Sequence, residues 1–139
     1  MSDTTNKVQR PLSPHLQVYK LPLTGLMSIS HRITGAGLVV GTLLIAAYLI
    51  AAATSETHYN TVMSIATSKP GQIIMFLWSF ALYFHMFNGI RHMFWDTGRF
   101  LQKAQAMRTN YVVLLCAVVA TAITWGGSTF VEFMVVLGS

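Results

Sequence analysis

The sequence predicts an all-α membrane protein with three transmembrane helices, and three observations carry that expectation. The 139 residues are 53% hydrophobic and only 9% charged, against about 25% charged in an ordinary soluble domain. Residues 33–53, 71–90 and 111–131 contain no Asp, Glu, Lys or Arg, and each run exceeds the roughly 18 apolar residues that mark a spanning helix. The nine basic residues are also unevenly placed. Lys7, Arg10, Lys20 and Arg32 precede or open the first span, Arg91, Arg99, Lys103 and Arg108 lie between the second and third, and only Lys69 falls on the other side. That asymmetry is the positive-inside pattern, which puts the amino terminus on the cytoplasmic or matrix side. The net charge of +5 therefore reports topology, and nucleic acid is not expected as a partner.

A single membrane-anchor domain over residues 1–139 follows, and its elements can be taken in order. Residues 1–23 read as a surface arm. The first ten are polar, with the features of neither a signal nor a transit peptide. Pro11, Pro14 and Pro22 then prevent a continuous helix, while Leu12, Leu16, Val18, Tyr19 and Leu21 are apolar enough to pack along the membrane or a partner. Helix I is expected over 24–53, with Thr24 as candidate N-cap. Residues 54–70 read as a polar outer loop in which His58 is solvated. Helix II is expected over 71–95, opened by Pro70 in a position where its missing N–H costs nothing and closed by the Asp96, Thr97, Gly98 turn. A short basic loop leads to helix III over 110–137, rich in Val, Ala and Thr, which reads as a packing helix. Cys116 is the only cysteine; one thiol builds neither an internal disulfide nor a zinc site, so it reads as a small core residue.

The chemistry concentrates in residues 85–98, HMFNGIRHMFWDTG, which close an otherwise apolar run. His85 lies six residues before Arg91, about 9 Å deeper along the helix axis. An ionisable residue within hydrocarbon is a functional candidate by default, and imidazole is an axial ligand for haem iron. His85 equally fits a neutral histidine bonded to another helix, worth about 1 kcal/mol. Gly89, four residues on, opens the same face for a flat macrocycle. Arg91, His92, His31 and Arg32 sit near the inner boundary, where haem propionates or a quinone head group need cations and donors. His92 suits that role better than iron ligation. His31 is the one internal alternative as a second ligand; otherwise a six-coordinate haem needs a ligand from a partner membrane subunit. Asp96 fits a cap or a partner for a neighbouring Arg.

Ser28 and Arg32 are one turn apart on a common face. A quinone under reduction develops negative charge on its carbonyl oxygens, which a cation stabilises and a hydroxyl can hydrogen-bond. The same pair also fits an Arg reaching lipid phosphate with a Ser bonded to backbone. Glycines at 35, 37 and 41 let another backbone, or a macrocycle, approach helix I.

Two blocks resemble a known family. RPLSPH at residues 10–15, followed by SISHRITG at 28–35, resembles the amino-terminal signature of the succinate dehydrogenase cytochrome b556 subunits. HMFNGIRH at 85–92, with Asp96 four residues on, resembles their second signature, and the order and three-span layout agree over essentially the whole chain. The resemblance is strongest to the mitochondrial-type branch. It implies that His85 is the haem b axial ligand, with the other ligand on a second small membrane-anchor subunit. It also implies that Ser28 and Arg32 line the ubiquinone site and that His31 and Arg32 contact the haem propionates. Arg91, His92 and Asp96 are secondary candidates. The implied fold is a helical bundle shared with the second anchor, holding an iron–sulfur subunit and a flavoprotein subunit that carry the clusters and FAD. The implied setting is the bacterial inner membrane, or the mitochondrial inner membrane as its alternative. Succinate oxidation is expected of the assembly and not of this chain alone. The competing readings are a haem-free structural anchor and a self-contained b-type cytochrome using His31 and His85.

Overall fold

The computed structural model describes the backbone of residues 20–138 and the side chains of residues 20–127; most of the expected surface arm lies outside the described residues. Four helices follow one another: α1 (Leu23–Thr54), α2 (Glu56–Thr67), α3 (Lys69–Asp96) and α4 (Lys103–Gly138). Three of them, α1, α3 and α4, are long and apolar enough to cross a membrane. At about 1.5 Å per residue, the 32 residues of α1 reach about 48 Å, well beyond a ~30 Å hydrocarbon core.

The polar 54–70 segment departs from expectation. It folds as the 12-residue α2 rather than a loop, and the spacing explains why. Tyr59, Val62, Met63 and Ala66 are the half-buried positions, and they recur at i, i+3, i+4 and i+7, the face of an amphipathic helix. His58 is exposed, outside that face. Ser55, in extended conformation (φ −163°, ψ 132°), breaks α1 from α2. Ser68 separates α2 from α3 and caps α3, its Oγ accepting from the Gly71 N–H at 3.2 Å. At α1, Pro22 and not Thr24 is the capping position, with no side-chain cap.

α3 ends in a Schellman arrangement. The Gly98 N–H donates to Trp95 O (2.8 Å) and the Arg99 N–H to Phe94 O (3.1 Å), with Gly98 at φ +77°, a conformation glycine adopts without a Cβ penalty. α4 begins at Lys103, about two turns before the expected start, so its basic residues stand on helix.

The small core lies between α1, α3 and α4, built on Met27, Phe84, Val113 and Ala117. Most other large apolar side chains of the spans point outward, as lipid or a partner helix requires. Without a hydrophobic drive between helices in lipid, close packing and hydrogen bonds must hold the bundle. Both are present. The Trp78 indole occupies the space a Cβ on Gly41 would take, Tyr83 meets the Thr124 hydroxyl at 2.7 Å, and Trp125 Nε1 donates to Ser79 Oγ at 3.1 Å.

Candidate functional site

α3 carries two polar faces rotated by one residue, about 100°. On one, Phe84, Asn88 and Arg91 are buried. Arg91 is 4% exposed; its Nη1 donates to Asn110 Oδ1 of α4, and its guanidinium lies 4.5 Å from the Trp95 ring centre. On the other face, His85, Gly89 and His92 meet α1.

The His85 ring is held from α1. Its Nδ1 lies 3.1 Å from the His31 carbonyl oxygen and 3.4 Å from Thr34 Oγ1. A carbonyl can only accept, so Nδ1 carries the proton and donates. The Thr34 hydroxyl is engaged as a donor to backbone, at 2.8 Å from Ser30 O. With Nδ1 donating, the lone pair of His85 is on Nε2, which leaves that nitrogen able to bind a metal, and the carbonyl contact is the kind of support that ligating histidines normally have. Gly35 makes this approach possible: a Cβ there would stand 2.8 Å from His85 Cε1.

His31 stacks on His85, ring centres 4.0 Å apart and planes inclined by 20°. His92 continues the stack on His31 at 5.4 Å and meets Trp95 edge-on at 4.8 Å. Gly89 faces His31 rather than His85, its Cβ position 3.9 Å from His31 Nε2. That Nε2 is buried without a hydrogen-bond partner. Face-to-face stacking turns the ring faces, not the nitrogen lone pairs, toward each other. Two axial ligands of one iron need nitrogens opposed across a macrocycle, so this arrangement does not support the His31–His85 self-contained cytochrome.

Ser28 is half-buried and Arg32 exposed, on the flank of α1 away from Ser30 and Ile33. Neither side chain bonds another described residue. The structure thus brings together His31, His85 and His92 and leaves Ser28 and Arg32 one turn apart at their edge. Arg91 is turned away toward α4. Asp96 is exposed at the end of α3 and makes no ion pair with an arginine among the described residues.

The family model of the succinate dehydrogenase/fumarate reductase transmembrane subunit matches residues 6–124. The chain belongs to this family. Similar proteins of the transmembrane-subunit family include the succinate dehydrogenase cytochrome b556 subunit of Paracoccus denitrificans, 41% identical over 119 residues that cover 86% of this chain and 92% of the relative. The mitochondrial cytochrome B subunit of Schizosaccharomyces pombe is 40% identical over 123 residues, 84% of this chain and 68% of its own. The cytochrome b560 subunit of Marchantia polymorpha is 38% identical over 116 residues, 80% and 85%. The protein is accordingly an integral membrane subunit of the succinate dehydrogenase type, with bacterial and mitochondrial relatives.

The sequence marks Gly35 as a point of close approach for another backbone or a macrocycle; the structure shows that what approaches is the His85 ring. Asn88 and Asn110, both 0% exposed, drew no attention. Asn110 sits at the expected loop boundary, and its pairing with Arg91 depends on α3–α4 register that spacing along one chain does not contain. For Asn88 the signal was present: a primary amide in an apolar run is costly unless satisfied.

Proposed function

We propose that this chain is the haem b- and ubiquinone-binding anchor subunit of succinate dehydrogenase, serving electron transfer from succinate, through an iron–sulfur subunit, to ubiquinone. The observation that carries the reading is the 3.1 Å contact of His85 Nδ1, on an apolar spanning helix, with the His31 carbonyl, which commits Nδ1–H and leaves Nε2 as a base. The residues fit a haem b. His85 would hold the iron, the second ligand coming from the other membrane-anchor subunit. His31, with its buried and unpartnered Nε2, and Arg32 would hold the propionates. When bound, haem supplies a one-electron store.

The chain's own residues do the remaining work. His31 O and Thr34 orient the His85 ring, and the apolar spans around it exclude water. Arg32 binds the quinone head group by placing a cation where negative charge develops on its carbonyl oxygen, and Ser28 donates a hydrogen bond to the same group. His92, at the inner end of the imidazole stack, is suited to exchange protons with the aqueous side. Arg91, buried on the α4 face, holds the helix pair rather than the cofactor. With the basic flank inward, a flavoprotein subunit bearing FAD and an iron–sulfur subunit would dock on the side of the α1 amino terminus. Succinate oxidation belongs to those subunits.

The test is a reduced-minus-oxidised spectrum of the assembled complex carrying His85→Ala. Loss of the b-type band is expected; an unchanged band removes His85 from ligation and favours a haem-free anchor role for this chain. In parallel, Arg32→Leu should depress quinone reduction while dye-linked succinate oxidation survives. Equal loss of both activities would count as failed assembly and against the quinone role.

A further inference from the structure

Two acceptors of α1, not one, face the Nδ1 edge of the His85 ring. The His31 carbonyl oxygen is 3.1 Å away and Thr34 Oγ1 is 3.4 Å away. The second distance exceeds the about 2.7–3.2 Å of a strong N–H···O bond, so Thr34 supplies the longer arm of a three-centre bond. Gly35 lets the ring come this close, since a Cβ there would stand 2.8 Å from His85 Cε1.

The direction of the Thr34 hydrogen decides what this contact is. The hydroxyl has one hydrogen and two carbonyls in reach, Ser30 O at 2.8 Å and His31 O at 3.0 Å. Ser30 O is the nearer. His31 O is also the more crowded: it takes the His85 Nδ1–H, and inside α1 its own helix supplies it with a backbone N–H. A carbonyl oxygen has two lone pairs, and both are then in use. The Thr34 hydrogen therefore goes to Ser30 O, and a lone pair of Oγ1 is left to face Nδ1–H. A hydroxyl that donates is the better acceptor, because successive hydrogen bonds polarise one another. The surroundings add to this. Thr34 is half-buried and lines an apolar groove with Leu26, Ile33, Phe84 and Leu114, and a low local dielectric strengthens each bond.

We propose that Thr34 is a positioning residue that tunes the electron affinity of the haem site, its Oγ1 serving as the second acceptor for His85 Nδ1–H and so setting how strongly Nε2 donates to iron. The inference rests on His85 being the haem ligand. An acceptor on the far nitrogen of a ligating imidazole raises its basicity, and a more basic ligand favours the oxidised iron, so the Thr34 hydroxyl holds the potential of the site down. Thr42 provides the contrast on the same helix: it makes the same kind of backbone bond, to Leu38 O at 2.9 Å, and is exposed.

The test is a potentiometric titration of the b-type band in the assembled complex, with the EPR spectrum of the oxidised complex recorded beside it. Thr34→Val keeps the size of the side chain and Thr34→Ala empties the space; both remove the acceptor. Each should raise the ratio of reduced to oxidised haem at a given ambient potential about threefold, the low end for one hydrogen bond. That is a midpoint shift of about 28 mV upward, at about 59 mV per tenfold for one electron, and the EPR g values should move with it. Thr34→Ser restores the hydroxyl and should return the wild-type midpoint, and Thr42→Val should leave it unchanged. Three results would overturn the proposal. An unmoved midpoint in both Thr34→Val and Thr34→Ala removes the acceptor role, and a shift in Thr34→Val alone assigns the effect to packing. A downward shift shows the hydroxyl competing for His31 O instead of accepting from Nδ1. His85→Ala tests the ligand separately: a band that survives there removes His85 itself, whereas a band lost there beside unmoved Thr34 variants removes only the hydroxyl.

Discussion

Gly35 offers the sharpest perturbation of the imidazole site, because its neighbours allow the outcome to be worked out beforehand. A methyl group at Gly35 would stand 2.8 Å from His85 Cε1 and 3.4 Å from Nδ1. The ring has little freedom to retreat: Nδ1 is tied to His31 O at 3.1 Å, and the His31 ring covers it at 4.0 Å. Overpacking of this kind costs about 1–3 kcal/mol, while Gly→Ala in a helix returns up to about 1 kcal/mol. Gly35→Ala should therefore come out between neutral and about 2 kcal/mol less stable, with His85 displaced from its carbonyl. Two glycines serve as references on the same scale. A Cβ at Gly37 meets nothing within 4 Å, and one at Gly89 meets only His31 Nε2 at 3.9 Å, an ordinary contact, so both Ala variants should gain stability. Thermal unfolding of the assembled complex in detergent measures the order, and its reduced-minus-oxidised spectrum reads the His85 environment. A shifted or weakened b-type band is expected for Gly35→Ala alone. Three variants of equal stability with identical spectra would refute the contact geometry assigned to Gly35.

Two further variants probe the opposite face of α3. Asn110→Ala leaves the Arg91 guanidinium, 4% exposed, without its one acceptor among the described residues; hydrogen bonds to charged groups are worth about 1.5–3 kcal/mol, and unfolding of the complex should shift by that amount. Asn110→Asp supplies a charged acceptor at the same place and should be at least as stable as wild type. Tyr83→Phe removes the hydroxyl that donates to Thr124 Oγ1, since the Thr124 hydroxyl is already committed to Ala120 O at 2.9 Å. In membranes such bonds average about 0.6 kcal/mol, with a maximum near 1.7, so a small loss of stability with unchanged spectra is expected.

The spans were legible because hydrocarbon imposes a simple rule: twenty-odd residues without charge. In the segment before α3 composition points to a loop and spacing to a helix: ETHYNTVMSIAT is polar on average, yet positions 59, 62, 63 and 66 mark one helical face. Similarly, the basic residues before residue 110 suggested a loop, although Lys and Arg are good helix formers and α4 continues past the apolar run. At the site, the nearness of His92 to the face of His85 follows from a separation of seven residues. The same arithmetic turns Arg91, six residues on, about 120° away from His85, so its place on a different face of α3 was implicit in the sequence. What spacing could not supply was the partner across each seam. That Gly35 lies under His85, that Gly89 faces His31, and that Asn110 receives Arg91 are facts of inter-helix register.

That register gives α4 a larger part than packing alone. α3 has its histidines on one face and Arg91 on another, so a rotation of α3 about its axis would move His85 out of reach of the His31 carbonyl while burying a different group against α4. Apolar contacts resist such rotation weakly, because leucine and phenylalanine are as well accommodated by lipid as by a neighbouring helix. The Arg91 guanidinium cannot make that exchange. It is buried, it has its acceptor on Asn110, and moving it into hydrocarbon would cost several kcal/mol. The hydroxyl pair of Tyr83 and Thr124, about two turns away along α3, adds a second point of attachment, and two points fix an angle where one would allow a swivel. On this argument the conformation of His85 is set from both sides, by the α1 carbonyl that orients its ring and by the α4 amide that holds the helix bearing it. Asn110→Ala should therefore disturb the His85 spectrum from the far side of α3, whereas Tyr83→Phe, with Arg91 still anchored, should not.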